Sequence, residues 1–441
     1  MAASVFDSPL YAQLFPTGDA GRLFSDTAAI RAMLLVEGAL ANAQGAQGII
    51  PDLSAKAIQR ATLEIQIDPG AIAKATGENG VSVPGLVAAF RAEMNAPEHA
   101  QFVHWGATSQ DIIDTGLMLR LRQLLLLAEA DLRSIIHSLA EQASQHAATP
   151  MAARTYGQHA TPTSWGAVLA DWGHGLCDLV EALPALRSSS LLVSLSGAAG
   201  TSSALGPNAA ATRAALAQGL GLNDPARSWH VDRGPILRIA DWLVQVTSVL
   251  ARMGGTLIAL TGSEISEVKL GAAGASSTMP QKQNPVAPSA LQALGHQTTG
   301  LRGALGPATQ HLHQRDGAAW FAEWMVLPQI ALGTASALQH AKAVSGTMTP
   351  DTVRMRATLD SGLGLIHAEE LSFALAQKMP RPQAQAETKT LCRQVQDTGA
   401  ELETLARTAH PDLPPDLFDP ARSLGLAPQE AQDFVARAKA L

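Results

Sequence analysis

Three polar stretches of the chain carry side chains able to hold a small acid and move its protons. The first is His104-Trp105-Gly106-Ala107-Thr108-Ser109-Gln110-Asp111, directly ahead of a long apolar periodicity. Thr108 with Asp111 reads as a Thr-x-x-Asp helix cap, and the same helix start could hold a substrate carboxylate. These residues alone leave both readings open. The second runs from Arg154 to Ser164 and holds Thr155, Tyr156, Gln158 and His159, again leading into a helix. His159 is the acid/base candidate, because imidazole changes charge near neutrality; with 13 histidines in the chain, a structural role is the competing reading.

The third stretch, from Gly271 to Pro285, carries Ser276, Ser277, Met279, Lys282 and Asn284. Its glycines and small residues lower the cost of alternative backbone conformations, as a lid over a site requires. Asn284 before Pro285 reads as an N-cap and first-turn pair, which aims free N–H groups and a positive helix end at whatever Lys282 and the serines face. Hydroxyls, an ammonium and a helix start together make a carboxylate receptor. The bland alternative is a surface Gly/Ser loop.

Other chemistries find little footing. His311 and His313 lack a carboxylate at zinc spacing, and no His-Glu-x-x-His occurs, so no metal is expected. Gly362-Leu363-Gly364 lacks the third glycine and the strand context of a dinucleotide fold, and there is neither a phosphate-cradling Gly-Lys-Ser/Thr nor a Gly-x-Ser-x-Gly elbow. Catalysis without a cofactor is the expectation. A net charge of -7 with no basic stripe argues against nucleic acid, while a locally positive pocket for an anion stays open. Cys177 and Cys392 offer neither a disulfide framework nor a metal spacing, which fits a reducing cytoplasm. The N-terminus lacks a signal pattern, and no uncharged apolar run reaches the roughly 18 residues that span a bilayer, so a membrane is not expected either.

The elements that position these stretches read as helices. Leu117, Leu121, Leu124, Ala128, Leu132, Ile135 and Leu139 recur at threes and fours, as do Ile239, Leu243, Val246, Leu250, Met253, Leu257 and Leu260 after a Gly234-Pro235 start. Extending the second stripe reaches Glu264 and Glu267, read as its emergence into solvent or its approach to a site. Such lengths imply a bundle. The sequence therefore predicts an all-α chain with an N-terminal helical domain over 1–106, a central long-helix bundle over 107–345 and a C-terminal helical domain over 346–441. Charged residues make up 16% against 46% hydrophobic, which means apolar surface covered by other subunits or simple alanine enrichment in helices.

The three stretches, in this order and with long helices between them, resemble the signature regions of the fumarase/aspartase superfamily. Residues 275–284, Ala275-Ser276-Ser277-Thr278-Met279-Pro280-Gln281-Lys282-Gln283-Asn284, are similar to its Gly-Ser-Ser-x-Met-Pro-x-Lys-x-Asn loop and depart at Ala275. The resemblance implies a helical protomer of three domains, a homotetramer, and active sites built from several subunits. It implies Ser276 as the base that removes a proton α to a carboxylate, Lys282 and Asn284 as carboxylate holders, and Thr108, Ser109, Thr155, Gln158 and His159 as substrate-side residues. His104, Ser277 and Met279 fall within the same matched runs.

Tyr156 is the informative departure, since the lyases of fumarate, argininosuccinate and adenylosuccinate carry histidine there. An aromatic at that position, the His104–Asp111 run, Phe6-Asp7, residues 200–206, Trp229-His230 and Trp320–Trp324 resemble the bacterial muconate cycloisomerase branch. Arg233 fits a substrate-side arginine, though Asp232, Gly234 and Pro235 depart from the usual surroundings. The implied reaction is the reversible lactonisation of a small tricarboxylate. The rival readings are a carbon–nitrogen lyase of the adenylosuccinate type and a catalytically silent structural oligomer.

Overall fold

Helix formation in this chain follows from buried apolar stripes, and at α1, the helix Asp26–Ala46, from a Ser25 side chain that accepts the Ala28 N–H. The computed structural model describes residues 4–272, 274, 275, 278, 279 and 282–441. In chain order, the elements that matter here are α1 (Asp26–Ala46), α2 (Asp52–Glu64), α3 (Ser109–Gln145), β1 (Pro150–Thr155), β2 (Gln158–Ser164), α4 (Trp165–Glu181), α5 (Ala209–Leu220), α6 (Gly234–Thr261), β3 (Val268–Lys269), β4 (Gly274–Ala275), β5 (Gln283–Asn284), α7 (Val286–Leu305), α8 (Gly317–Ser345) and β6 (Thr349–Pro350). The chain is nearly all α, as its patterning predicts; among the described residues the strands form two-stranded antiparallel ribbons, β1 with β2, β3 with β6 and β4 with β5.

Both predicted stripes are core. Leu121, Leu132, Ile135 and Leu139 of α3 and Ile239, Leu243, Val246 and Leu257 of α6 are completely buried. Each such side chain contributes about 1.5–3 kcal/mol relative to exposure, which fixes the rotation of these helices about their axes. By length and composition α6 is also apolar enough to cross a membrane. Charges within the helix are paired with other parts of the protein, Asp241 with Arg302 and Arg252 with Asp171.

The extension of the α6 stripe to Glu264 and Glu267 fails. The helix stops at Thr261, and the N–H groups of Ile265 and Ser266 bond to the Gly262 carbonyl, turning the chain back so that Glu267 N–H reaches Leu260 O. Glu264 is exposed, but Glu267 is buried rather than solvated.

Internal contacts divide the chain into two compact units. The first comprises Met1–Asp131, Glu181–Ser248 and Ala293–Gln339; the second comprises Leu132–Val180, Val249–Gln292 and His340–Leu441. In the first, α1 packs against α2 and α5. In the second, the short helices after Thr349-Pro350 close over their own core, which includes Leu371, Leu391, Val395 and Leu402.

Candidate functional site

In the first unit, the mouth of α3 is the best-defined polar arrangement. Thr108 precedes the helix and donates its N–H to Asp111 Oδ2 at 3.0 Å, which is the Asp111 half of the cap read from the sequence. Capping is only a small part of what Asp111 does. Its fully buried carboxylate also accepts Ser194 Oγ at 3.1 Å, Ser196 N at 2.9 Å, Gly197 N at 2.9 Å and His230 Nε2 at 2.8 Å. One carboxylate thus ties the helix start to the 194–197 segment and to His230. Thr108 and Ser109 remain half-buried at that mouth, available to a ligand.

Gly106 makes the approach to the helix possible. Its φ is +75°, and a Cβ there would lie 2.8 Å from Leu205 Cδ2 and 3.0 Å from Ala204 O, so no other residue fits without displacement. His104, itself at φ 64°, donates through Nδ1 to Glu37 Oε1 at 2.7 Å. Burial alone would depress the His104 imidazole, but the hydrogen bond and charge of Glu37, helped by Asp111, outweigh it and raise its pKa.

Arg233, expected on the substrate side, is instead locked in the core. Its Nη1 and Nη2 reach Asp114 at 2.7 and 3.0 Å, and its Nε and Nη2 reach Glu323 at 2.8 and 2.7 Å, with Trp229 stacked 4.8 Å from the guanidinium. Burial would drive off its charge, yet Asp114 and Glu323 outweigh that and raise its pKa. Burial likewise pushes the Glu323 carboxyl up, against the pull of the guanidinium. With four of its five N–H groups on two carboxylates and its side chain buried, this guanidinium is committed to the core. Gln110 joins the assembly, donating to Asp114 at 3.2 Å and His230 O at 2.8 Å and accepting from Arg315 Nε at 2.8 Å.

The second unit holds the other two stretches. The run from Arg154 is a hairpin, not merely a polar lead into a helix: β1 pairs with β2, Thr155 opposite Gln158, around Tyr156 and Gly157. Both turn residues have positive φ, 52° and 75°, the conformation that matches strand twist in a two-residue loop. Thr155, Tyr156, Gln158 and His159 are consequently exposed around the tip. Arg154 anchors the hairpin through two bonds to buried Glu267, at 2.9 and 2.7 Å. This is the task of the glutamate that the stripe argument misread.

Ser276 and Ser277 lie outside the described residues. Around them, Gly274 pairs with Asn284 and Ala275 with Gln283, while Met279 and Lys282 are exposed. Asn284 therefore belongs to a strand rather than serving as N-cap: α7 starts at Val286, so the helix begins after Pro285 rather than with it. Boundaries shift by such a step where a proline stiffens the entry. Among the described residues, no three His, Cys, Asp or Glu side chains gather as a metal site would require.

Sequence reasoning overlooked Glu37, Asp111 as a hub, Asp114, His230 and Glu323. Two aspartates three apart, opening an otherwise apolar helix, were the available signal; a carboxylate that continues inward from a cap has no other reason to be buried.

A family model described as Lyase matches residues 21–300. The chain is 38% identical over 431 residues to a 3-carboxy-cis,cis-muconate cycloisomerase of Pseudomonas aeruginosa, covering 95% of this chain and 93% of that one. It is 33% identical over 447 residues to a nitrosuccinate lyase of Streptomyces davaonensis, covering 97% and 94%. The crystal structure of the 3-carboxy-cis,cis-muconate lactonizing enzyme from Pseudomonas putida superposes with a TM-score of 0.92 at 34% identity, over 98% of this chain and 99% of the other.

Proposed function

The chain belongs to the lyase family whose model spans residues 21–300, and from that premise we propose that it is a 3-carboxy-cis,cis-muconate cycloisomerase acting in protocatechuate degradation. The observation that carries this reading is the half-buried Thr108–Ser109 mouth of α3, held rigid by Asp111, in a chain that aligns end to end with cycloisomerases. Free N–H groups and hydroxyls at a fixed helix start are suited to a carboxylate.

In the lactone-forming direction, a carboxylate oxygen of the substrate bonds to an alkene carbon while a proton is added to the carbon α to another carboxylate. In reverse, a base takes that α proton, an enolate-like dianion forms, and the lactone C–O bond breaks to release a carboxylate. Ser276 is the base in this reading, and Lys282 with Asn284 stabilises the dianion as charge develops. His159 or Tyr156 delivers or orients the proton. His104, Thr108, Ser109, Thr155, Gln158, Ser277 and Met279 are the substrate-side residues of this reading, whereas Arg233 supports α3 from the core. No cofactor enters these steps.

A homotetramer belongs to the same reading. It is supported by the exposed Tyr156 tip and by exposed Phe321 and Met325 on α8, which offer apolar surface to neighbouring copies. The division at residues 106 and 345 into three domains, and a cytoplasmic location, belong to it too.

The test is direct. Purified protein is mixed with 3-carboxymuconate, adenylosuccinate and nitrosuccinate in turn, and ultraviolet absorbance is followed. Consumption of the conjugated diene acid alone supports the cycloisomerase. Turnover of either succinate derivative instead points to a carbon–nitrogen lyase, and inertness toward all three to a structural oligomer.

A further inference from the structure

A mostly apolar cavity edged by arginines lies in the first unit, and its lining does not include His104, Thr108 or Ser109. It has a volume of about 440 Å³ and is lined by Arg31 of α1, Arg120 and Arg122 of α3, and the apolar side chains of Leu35, Leu63 and Leu119. Its size falls within the range of roughly 300–1,000 Å³ typical of small-molecule pockets. Among the described residues, no aspartate or glutamate lines it.

Part of this arrangement is structural. Arg31 donates to Thr62 O, near the end of α2, and Arg122 donates to Leu220 O and, at 3.0 Å, Gly221 O at the end of α5. Arginines at helix C-termini satisfy carbonyls that the helix leaves free. Capping does not account for Arg120. Its Nη1 reaches Leu23 O at 3.3 Å, but its Nε is sealed from solvent with no hydrogen-bond partner. Burial lowers the Arg120 pKa to about 10, with only the charge of Asp26 opposing it. Asp26 supplies that opposing charge, while Asp19 pairs with Arg22, Glu64 with Arg60 and Glu37 with His104.

Carbonyl dipoles bring only partial charge to these guanidiniums; beyond them Arg120 has the charge of Asp26 and the Phe24 ring, 5.9 Å from its guanidinium carbon. The leucine wall leaves room for an apolar body beside that charge. The geometry points to a binding site for a small organic carboxylate with an apolar body, its oxygens on Arg120 and its neighbours and its hydrocarbon against Leu35, Leu63 and Leu119. A planar carboxylate matches the guanidinium fork, and the apolar wall disfavours a fully hydrated phosphate.

Benzoate and inorganic phosphate are the probes, titrated calorimetrically into the whole protein. Benzoate is expected to bind with a Kd of about 1 mM or tighter, and phosphate at least about tenfold more weakly. Arg120→Gln should weaken benzoate about tenfold or more. Ala39→Phe, which fills the cavity and keeps all three arginines, should abolish binding and decides the matter if Arg120→Gln does not fold. Ser109→Ala should leave it unchanged. Absence of benzoate binding, phosphate binding as tight as benzoate, binding that survives Ala39→Phe, or loss of binding in Ser109→Ala would each overturn the site. None of these readouts depends on the reaction the protein catalyses.

Discussion

His230 Nε2 donates a 2.8 Å hydrogen bond to Asp111 Oδ1 across 119 residues of sequence, and both side chains are buried. The same carboxylate takes three backbone N–H groups and a serine hydroxyl, so the position of Thr108 and Ser109 depends on a group that touches no substrate.

Asp111→Asn should therefore be far from conservative. An amide NH₂ would face backbone N–H donors that need an acceptor, leaving buried donors unpaired at a cost of about 2–4 kcal/mol. Urea unfolding measures this directly; a loss under about 1 kcal/mol would mean that the network rearranges freely.

Arg233→Met should destabilise by about 3–5 kcal/mol, because it strands Asp114 and Glu323 as buried carboxylates without their cation. If Arg233 were a substrate contact, the variant would fold normally with a raised KM. Unfolding midpoints and KM, measured on the same preparation, separate the two.

The His104–Glu37 pair makes a pH-dependent contribution whose sign is fixed. The folded His104 pKa is raised above the ordinary value near 6.5, so its stabilisation is fully present below about pH 6.5 and is lost as pH rises through the folded pKa. The stability gap between the unmodified protein and Glu37→Gln should be widest on the acid side and shrink as the medium becomes alkaline. A gap that grows with rising pH contradicts the pairing.

Ser276→Ala should lower turnover of 3-carboxymuconate by about 10²–10⁴-fold, the usual worth of a positioned base, with circular dichroism and elution volume unchanged. Near-normal turnover removes Ser276 from the role of base and reopens the choice among the exposed polar residues of the hairpin.

Periodicity made the long helices legible, because burial of one face at 3.6 residues per turn leaves its imprint on the order of residues: every leucine chosen from Leu117 to Leu139 is core. The Thr108–Asp111 start of α3 was legible for the same local reason, while the Asn284 cap was not. Hairpin β1–β2 was not legible either, since a Tyr-Gly turn lacks the Asn-Gly or Asp-Gly signature, and the Glu267 that holds Arg154 lies 113 residues away in sequence. Glu267 and Arg233 mark the boundary of local reasoning. A charged residue at the end of a stripe reads as solvated until a distant opposite charge is found beside it, and only the folded chain supplies that partner. The sequence by itself determined which segments are helical and which residue types meet at their ends. Tertiary structure decided which charges are spent holding the protein together, because the energy of a buried ion depends on what surrounds it and not on its neighbours along the chain.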